Sequence, residues 1–352
     1  MPDPYVALAA ALDRLPNGFP RTPSGVELRL LARLATPDEA SLAALMGRES
    51  EPFEDIAARA GLGPDAARRR LMEMAKRGLV WISKGEGQLK FRLAAFVYGI
   101  WESQVDQLDH DLVHLFEAYM QDGGAKGIMG VEPAIHRVLP AHGAVKTERI
   151  LPYEDVRAII LAANAFHVSD CICRKERDIA GHRACSFPVR NCLGISPVTR
   201  KPVPGGITRD EALALLDEAE QAGLVHSVSN LKTGMSYVCN CCGCCCAVLR
   251  SINELGLAHS IAAASCRAVV DRETCTGCLV CVERCQVEAI ALRDGVAVVD
   301  HGRCIGCGLC VTGCAPAAVR LERRPDADIV PPPEDFAAWE AARLANRGKG
   351  AS

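Results

Sequence analysis

Aromatic residues make up only 5% of this 352-residue chain. Its apolar mass is therefore mostly alanine, leucine and valine, which leans toward helix wherever cysteine does not take over. An excess of one charge sign is also lacking. Lys and Arg number 40 against 43 Asp and Glu, leaving a net charge of −3 and a pI near 6.3. Bulk charge thus gives no reason to expect nucleic acid or an anionic membrane as a partner. No apolar run is long enough to span a bilayer. The Met-Pro-Asp-Pro-Tyr start has neither the basic nor the apolar region of an export signal, which points to the cytoplasm. No nucleotide, flavin or corrinoid motif stands out.

What the chain has in abundance is cysteine, nineteen in all. In a short secreted chain that number would mean a disulfide scaffold, but these spacings are those of metal ligands in a reduced protein. Cys275, Cys278, Cys281 and Cys285 form C-x2-C-x2-C-x3-C, and Cys304, Cys307, Cys310 and Cys314 write it again. Three closely spaced cysteines on a tight loop can wrap three corners of a cubane iron–sulfur cluster, and the fourth ligand must come from elsewhere. Zinc is the rival, and it is usually held at separate four-ligand sites built from C-x2-C pairs. Between the two runs, residues 289–292 and 296–299 flank Asp294-Gly295, which predicts a β-hairpin.

This stretch resembles the bacterial two-cluster ferredoxins, in which the fourth cysteine of each run ligates the other cluster. The resemblance implies two [4Fe–4S] clusters, one held by Cys275, Cys278, Cys281 and Cys314, the other by Cys304, Cys307, Cys310 and Cys285. It departs from the family at the proline that usually follows the fourth cysteine: Gln286 follows Cys285, and Pro316 lies two places after Cys314.

A second cysteine field fills the middle. Cys171, Cys173, Cys185 and Cys192 are spaced C-x-C-x11-C-x6-C, and Arg174, Lys175 and Arg177 would offset the charge of a thiolate-ligated centre. Cys239, Cys241, Cys242, Cys244, Cys245 and Cys246 then crowd into eight residues. Neighbouring cysteines do not easily reach the same small cluster, so this density predicts ligands pointing two ways, one set toward the Cys171 loop. All ten are candidate ligands for at least one additional [4Fe–4S] cluster or other metal centre. The expected site is built mainly from Cys171, Cys173, Cys185 and Cys192, with the Cys239 to Cys246 knot alongside. The plainer alternative is a redundant cysteine patch around one metal. Cys266 is left over.

Residues 24–93 read as helices followed by a two-stranded wing. Ser24 opens the first helix, Thr36-Pro37 the second, a short piece runs from Glu54 to Ala60, and a helix from Pro64 follows the turn Gly61-Leu62-Gly63. Strands follow over 80–83 and 89–93, joined through Lys84 to Gln88. The pattern resembles the winged helix–turn–helix of bacterial regulators. Arg68, Arg69 and Arg70, with Lys84, Lys90 and Arg92, are candidate phosphate contacts. Three consecutive arginines wrap around a helix and do not line one face, so DNA is the less favoured partner. Residues 96–120 read as one long helix carrying Tyr98, Trp101, Val105, Leu108, Leu112, Leu115 and Tyr119, a packing element or, over 96–121, the contact of a homodimer.

The expected fold class is α+β and multidomain. A mostly helical winged-helix-like domain (1–95) leads to a long helix and connector (96–150), then a cysteine-rich α/β middle domain (151–265) and a two-[4Fe–4S] ferredoxin-like domain (266–324). A Pro-rich spacer and terminal helix (325–352) end in a frayed tail. That order resembles a family of bacterial and archaeal 4Fe–4S ferredoxin-domain proteins. The expected function is electron transfer with a dedicated redox partner protein, as a carrier or an oxidoreductase subunit. One alternative is a redox-sensing transcriptional regulator. Another is a reductase or activation factor with the middle cysteines as its active centre.

Overall fold

The computed structural model describes residues 3–85, 87–145, 151–199 and 205–349. The chain divides into two units. One is Met1–Ile128 with Asp178–His182 and Arg343–Ser352, and the other is Met129–Arg177 with Arg183–Ala342.

In the first unit, α1 (Pro4–Asp13), α2 (Val26–Leu34) and α3 (Pro37–Ala44) precede β1 (Glu51–Pro52), α4 (Phe53–Ala60), α5 (Pro64–Lys76), β2 (Val80–Gly85) and β3 (Gln88–Leu93). Helix α3 starts where the sequence places it. The Thr36 side chain accepts from the Glu39 amide and the Glu39 carboxylate accepts from the Thr36 amide, so two donors at the helix start are satisfied reciprocally. Helix α4 ends at Gly61 in the left-handed region, φ 62, where glycine carries no Cβ clash. The short sheet runs β1-β3-β2. Glu86, in the expected wing loop, lies outside the described residues, as do residues 350–352 of the expected tail. Helix α2 begins after Gly25. The Ser24 hydroxyl accepts from the Val26 amide at 3.3 Å and donates to Asp122 at 2.6 Å.

The single helix expected over residues 96–120 does not form. A turn at Phe96–Ile100 holds Val97 extended and Tyr98 left-handed, a 3-10 turn follows at Glu102–Gln104, and α6 (His110–Tyr119) starts afresh before α7 (Ala125–Met129). Side chains take the backbone donors that a continuous helix would use. Glu102 accepts from the Gly99 amide at 2.8 Å, and Asp109 caps α6 by accepting from the Leu112 amide at 2.8 Å. The apolar period survives as burial. Trp101 stacks on Phe116 with centroids 3.8 Å apart, and Phe96 and Tyr119 pack beside Phe19. Much of the chain's small stock of aromatics is spent here. Trp101, Leu112 and Tyr119 are buried within the chain's own core.

The second unit is organised by one sheet. Its elements are β4 (His136–Leu139), α8 (Val156–Ala162), β5 (Ala165–Asp170), α9 (Ile172–Ile179), β6 (Arg190–Ser196), β7 (Gly206–Ile207), α10 (Arg209–Ala222), β8 (Val225–Ser229), β9 (Tyr237–Cys241), α11 (Ala247–Asn253) and β10 (Ile261–Ala262). The strand order is β10-β4-β8-β9-β6-β5-β7, antiparallel except for the β10–β4 pair. Strand β4 falls in the stretch read as a connector, and it is buried at all four residues. A strand covered on both faces shows no alternation to read. Val156 and Ile160 of α8 and Ala212 and Leu216 of α10 pack on Leu193, Ile195, Val228 and Val238 to form the core. Side chains alternate across a strand, so Cys192 of β6 and Cys239 and Cys241 of β9 belong to the opposite face.

The last part holds β11 (Cys266–Val270), α12 (Val280–Glu283), β12 (Ile290–Arg293), β13 (Val296–Val299), α13 (Leu309–Thr312), β14 (Val319–Arg323) and α14 (Phe336–Lys349). The predicted hairpin is β12–β13, and its turn residues Asp294 and Gly295 both have positive φ, as a two-residue turn matched to strand twist requires. Strand β11 pairs antiparallel with β14. The chain is thus a mixed helix-and-sheet, α+β structure.

Candidate metal centres

The two C-x2-C-x2-C loops have the same backbone. Gly277 and Leu279 in the first are left-handed, and so are Gly306 and Gly308 29 residues later; Glu288 and Ala317, also 29 apart, repeat the feature. These positive-φ positions reverse the chain often enough to turn three cysteines inward. Leu279 does so without glycine's freedom, at a cost of about 1–2 kcal/mol. One small cavity is lined by Cys275, Cys278, Cys281 and Cys314, and a second by Cys285, Cys304, Cys307 and Cys310. The fourth cysteine of each run therefore faces the cavity of the other. The donor set suits thiolate-ligated clusters, and backbone amides already point at sulfur: Ala289 donates to Cys285 at 3.1 Å and Ala297 to Cys275 at 3.5 Å. Burial pushes the thiols of Cys310, to about 12, and of Cys281, Cys285 and Cys307 upward, so free thiols here would stay protonated until a metal displaced the proton.

Gln286, where the ferredoxins carry proline, has a different task. Its side-chain oxygen accepts from the Gly243 amide at 2.7 Å, its amide nitrogen donates to the Gly223 carbonyl at 3.0 Å, and its own carbonyl accepts from Asn253 at 3.0 Å. Gly243 lies between Cys242 and Cys244. Arg284, on the other side of Cys285, donates to the carbonyls of Glu220 and Gln221 at the end of α10, where a cation suits the helix dipole. The residues flanking Cys285 thus fasten the ferredoxin-like part to the cysteine-dense turn. No signal in the sequence marked Gln286 for this beyond the missing proline.

The middle cysteines fall into two sets. Cys185, from the loop after α9, lies with Cys242, Cys244 and Cys245 of the β9–α11 turn, their four sulfurs all within 4.8 Å of one another. Contacts of 3.7 Å join Cys185 to Cys245 and Cys244 to Cys245, and one of 4.0 Å joins Cys185 to Cys242. Ala219 and Leu224 pack around them. Strand register brings two of the others together: Leu193 is opposite Val238, so one step along the antiparallel pair Cys192 faces Cys239, and Cys241, two residues on from Cys239 in β9, shares their face of the sheet. Cys173 packs against the cluster of Cys242 and Cys245. The sequence grouped Cys185 with Cys171, Cys173 and Cys192, and the structure draws its sulfur to Cys242, Cys244 and Cys245. Alternation along β9 sends Cys239 and Cys241 one way, and the turn sends Cys242 the other.

Arg174 joins the two sets. It is fully buried (0% exposed), donates to the Pro188 and Asn240 carbonyls at 2.9 and 2.8 Å, and lies over the Phe187 ring. Burial alone would lower its pKa, yet the charges of Cys171, Cys242 and Cys241 raise it above the usual arginine range. Those three are the thiols held low: Cys171 by hydrogen bonds from Cys173 and Cys192, Cys241 at about 5 by Cys239 and Cys246, and Cys242 at about 6 by Cys245. Asn240 fixes the scaffold behind them: its Oδ1 accepts from the His226 ring at 2.7 Å and its Nδ2 donates to Asn191 at 2.7 Å.

All nineteen cysteines are free thiols. Cys266 stands apart from every set, buried on β11 and donating to the Gly306 carbonyl at 3.5 Å, with burial pushing its pKa up to about 12. A serine can donate the same bond, so Cys266→Ser should leave iron and acid-labile sulfide per chain unchanged and shift stability by only about 1 kcal/mol. A metal assay on the purified variant checks it, and a loss of several irons would make Cys266 a ligand.

Compared with known protein families, residues 267–315 match the model of the 4Fe-4S dicluster domain. No curated protein and no solved structure is significantly similar to the chain.

Proposed function

We propose that the chain is an iron–sulfur electron-transfer protein with two [4Fe–4S] clusters and at least one further metal centre in the middle field. Cys275, Cys278, Cys281 and Cys314 would hold one cluster, and Cys304, Cys307, Cys310 and Cys285 the other. The observation that carries this reading is the pair of four-cysteine cavities within the segment matching the dicluster domain. Such clusters, when bound, accept and release single electrons. The polypeptide sets which end meets a partner. Cys278 is exposed, and Leu279, Val280 and Leu292 around that cavity are exposed apolar residues, a surface suited to a partner oxidoreductase. The Cys285 set lies at the other end, fastened through Gln286 to the turn of Cys242 and Cys244. The free thiols suit a reducing compartment, the cytoplasm.

A redox-responsive regulator built on a winged helix in the first unit is the second reading. The arginines of α5 do not favour it, because Arg70 pairs with Asp38 at 3.5 Å and Arg68 and Arg69 share their groove with Asp65, Glu39 and Glu73. A strong, salt-dependent DNA footprint would reverse that preference. The electron-transfer reading is tested by anaerobic purification, iron and sulfide counting, and EPR after reduction. Two cubanes account for about eight irons, so the expected count exceeds eight, with interacting-cluster signals that accept electrons reversibly. Iron-free protein after reconstitution, or clusters that cannot be reduced, would reject it.

A further inference from the structure

The middle field was expected to hold at least one metal centre with ligands pointing two ways, and the Cys185 set within it has a geometry of its own. We propose that Cys185, Cys242, Cys244 and Cys245 hold a single tetrahedral metal ion, zinc or iron. Cys192, Cys239 and Cys241, on the opposite face of the sheet, belong to a separate centre. The division rests on the reading of the middle field as metal-bearing.

Sulfur spacing carries the first half. Four sulfurs about 2.3 Å from one zinc sit at the corners of a tetrahedron with edges of about 3.8 Å. The observed contacts of 3.7, 3.7 and 4.0 Å have that edge length. A cubane instead spreads its cysteine sulfurs around an eight-atom body. The ferredoxin-like part shows the contrast within the same chain. Among the described residues, no other group of three or more ligand atoms draws together as closely as the Cys185 set, although two four-cysteine cavities lie nearby.

Strand geometry carries the second half. Cys239 and Cys241 alternate with Val238 along β9, and Cys192 with Leu193 along β6, so these three thiols lie on the face away from the core that Val238 and Leu193 join. Cys242, the next residue after β9, is drawn instead to Cys185, Cys244 and Cys245. The compact set is therefore complete with four sulfurs and takes none from Cys192, Cys239 or Cys241.

The test uses the full chain, prepared anaerobically, with iron, zinc and acid-labile sulfide counted per chain. The paired variant Cys185→Ser/Cys244→Ser should lose about one metal ion and no sulfide. Cys192→Ser/Cys239→Ser should keep that single ion, because its two thiols are not in the compact set. Loss of the ion from this variant as well would mean one shared centre. Loss of about four irons with sulfide from the Cys185 variant would put a cubane there. Either result overturns the proposal. Should a variant fail to fold, the unsubstituted protein decides by X-ray absorption and Mössbauer spectroscopy. The expected result is a mononuclear metal bound by four sulfurs at about 2.3 Å, and its absence rejects the assignment. EPR of the ferredoxin-type clusters, recorded on the same samples, reports separately on the electron-transfer reading.

Discussion

Arg174→Met is expected to strip metal from the middle cysteines while leaving the ferredoxin-like part loaded. Methionine fills much of the same space and removes three things at once. The guanidinium no longer answers the charges of Cys171, Cys241 and Cys242, and the carbonyls of Pro188 and Asn240 lose their donor. Removing one partner from a buried charge arrangement costs about 3–5 kcal/mol. At 1.4 kcal/mol per factor of ten, that is roughly a hundredfold to a few thousandfold in metal retention. A timed challenge with an iron or zinc chelator reads it directly. Arg174→Lys keeps the charge but cannot span both carbonyls with a planar fork, so it should fall between the two. Wild-type retention in the methionine variant would show that the thiolates do not depend on this cation.

Gly243→Ala should be a severely damaging single-methyl change in the second unit. A Cβ at this position would stand 2.1 Å from the Gln286 carbonyl oxygen and 3.0 Å from the Asn253 side-chain nitrogen. Neither neighbour can retreat freely, because Gln286 is bonded to Gly243, Gly223 and Asn253. Overpacking of this kind costs about 3 kcal/mol, or roughly 6–12 °C in apparent melting temperature for a unit of this size. Gln286→Ala deletes the same fastening without a clash and should cost only about 1–2 kcal/mol. Thermal unfolding of the two variants side by side tests the comparison. If Gln286→Ala proved the worse, the close backbone approach at Gly243 would not be the constraint.

These expectations differ in how far they were legible beforehand. The ferredoxin-like part was readable because its information is local: cysteines at fixed short spacings, Asp294-Gly295 at a two-residue turn, and glycines where the loop reverses. The middle field was readable as cysteine-rich and metal-like, but its partition depends on pairings between distant segments. Only the β6–β9 register brings Cys192 to Cys239, and only the path of the loop after α9 brings Cys185 to Cys242, Cys244 and Cys245. Nothing within a few residues of Cys185 encodes that. The helix expected over 96–120 failed for the opposite reason. The apolar period was real, but Asp109, a capping residue in plain view, was outweighed by it. Strand β4 was missed because HRVL is short and buried on both faces.

The 29-residue repeat of the ferredoxin-like part has a consequence for how such a segment can be divided. Each half supplies three of its four cysteines to one cavity and the remaining one to its twin. A fragment ending at Val299 would therefore carry three thiols for one centre, a single thiol for the other, and a complete set for neither. Deleting or transplanting one half leaves two broken sites, never one intact site, so the segment can be inherited, grafted or lost only whole. The same reciprocity means that damage to Cys285 or Cys314 is felt in the opposite half, 29 residues away along the chain and across the fold.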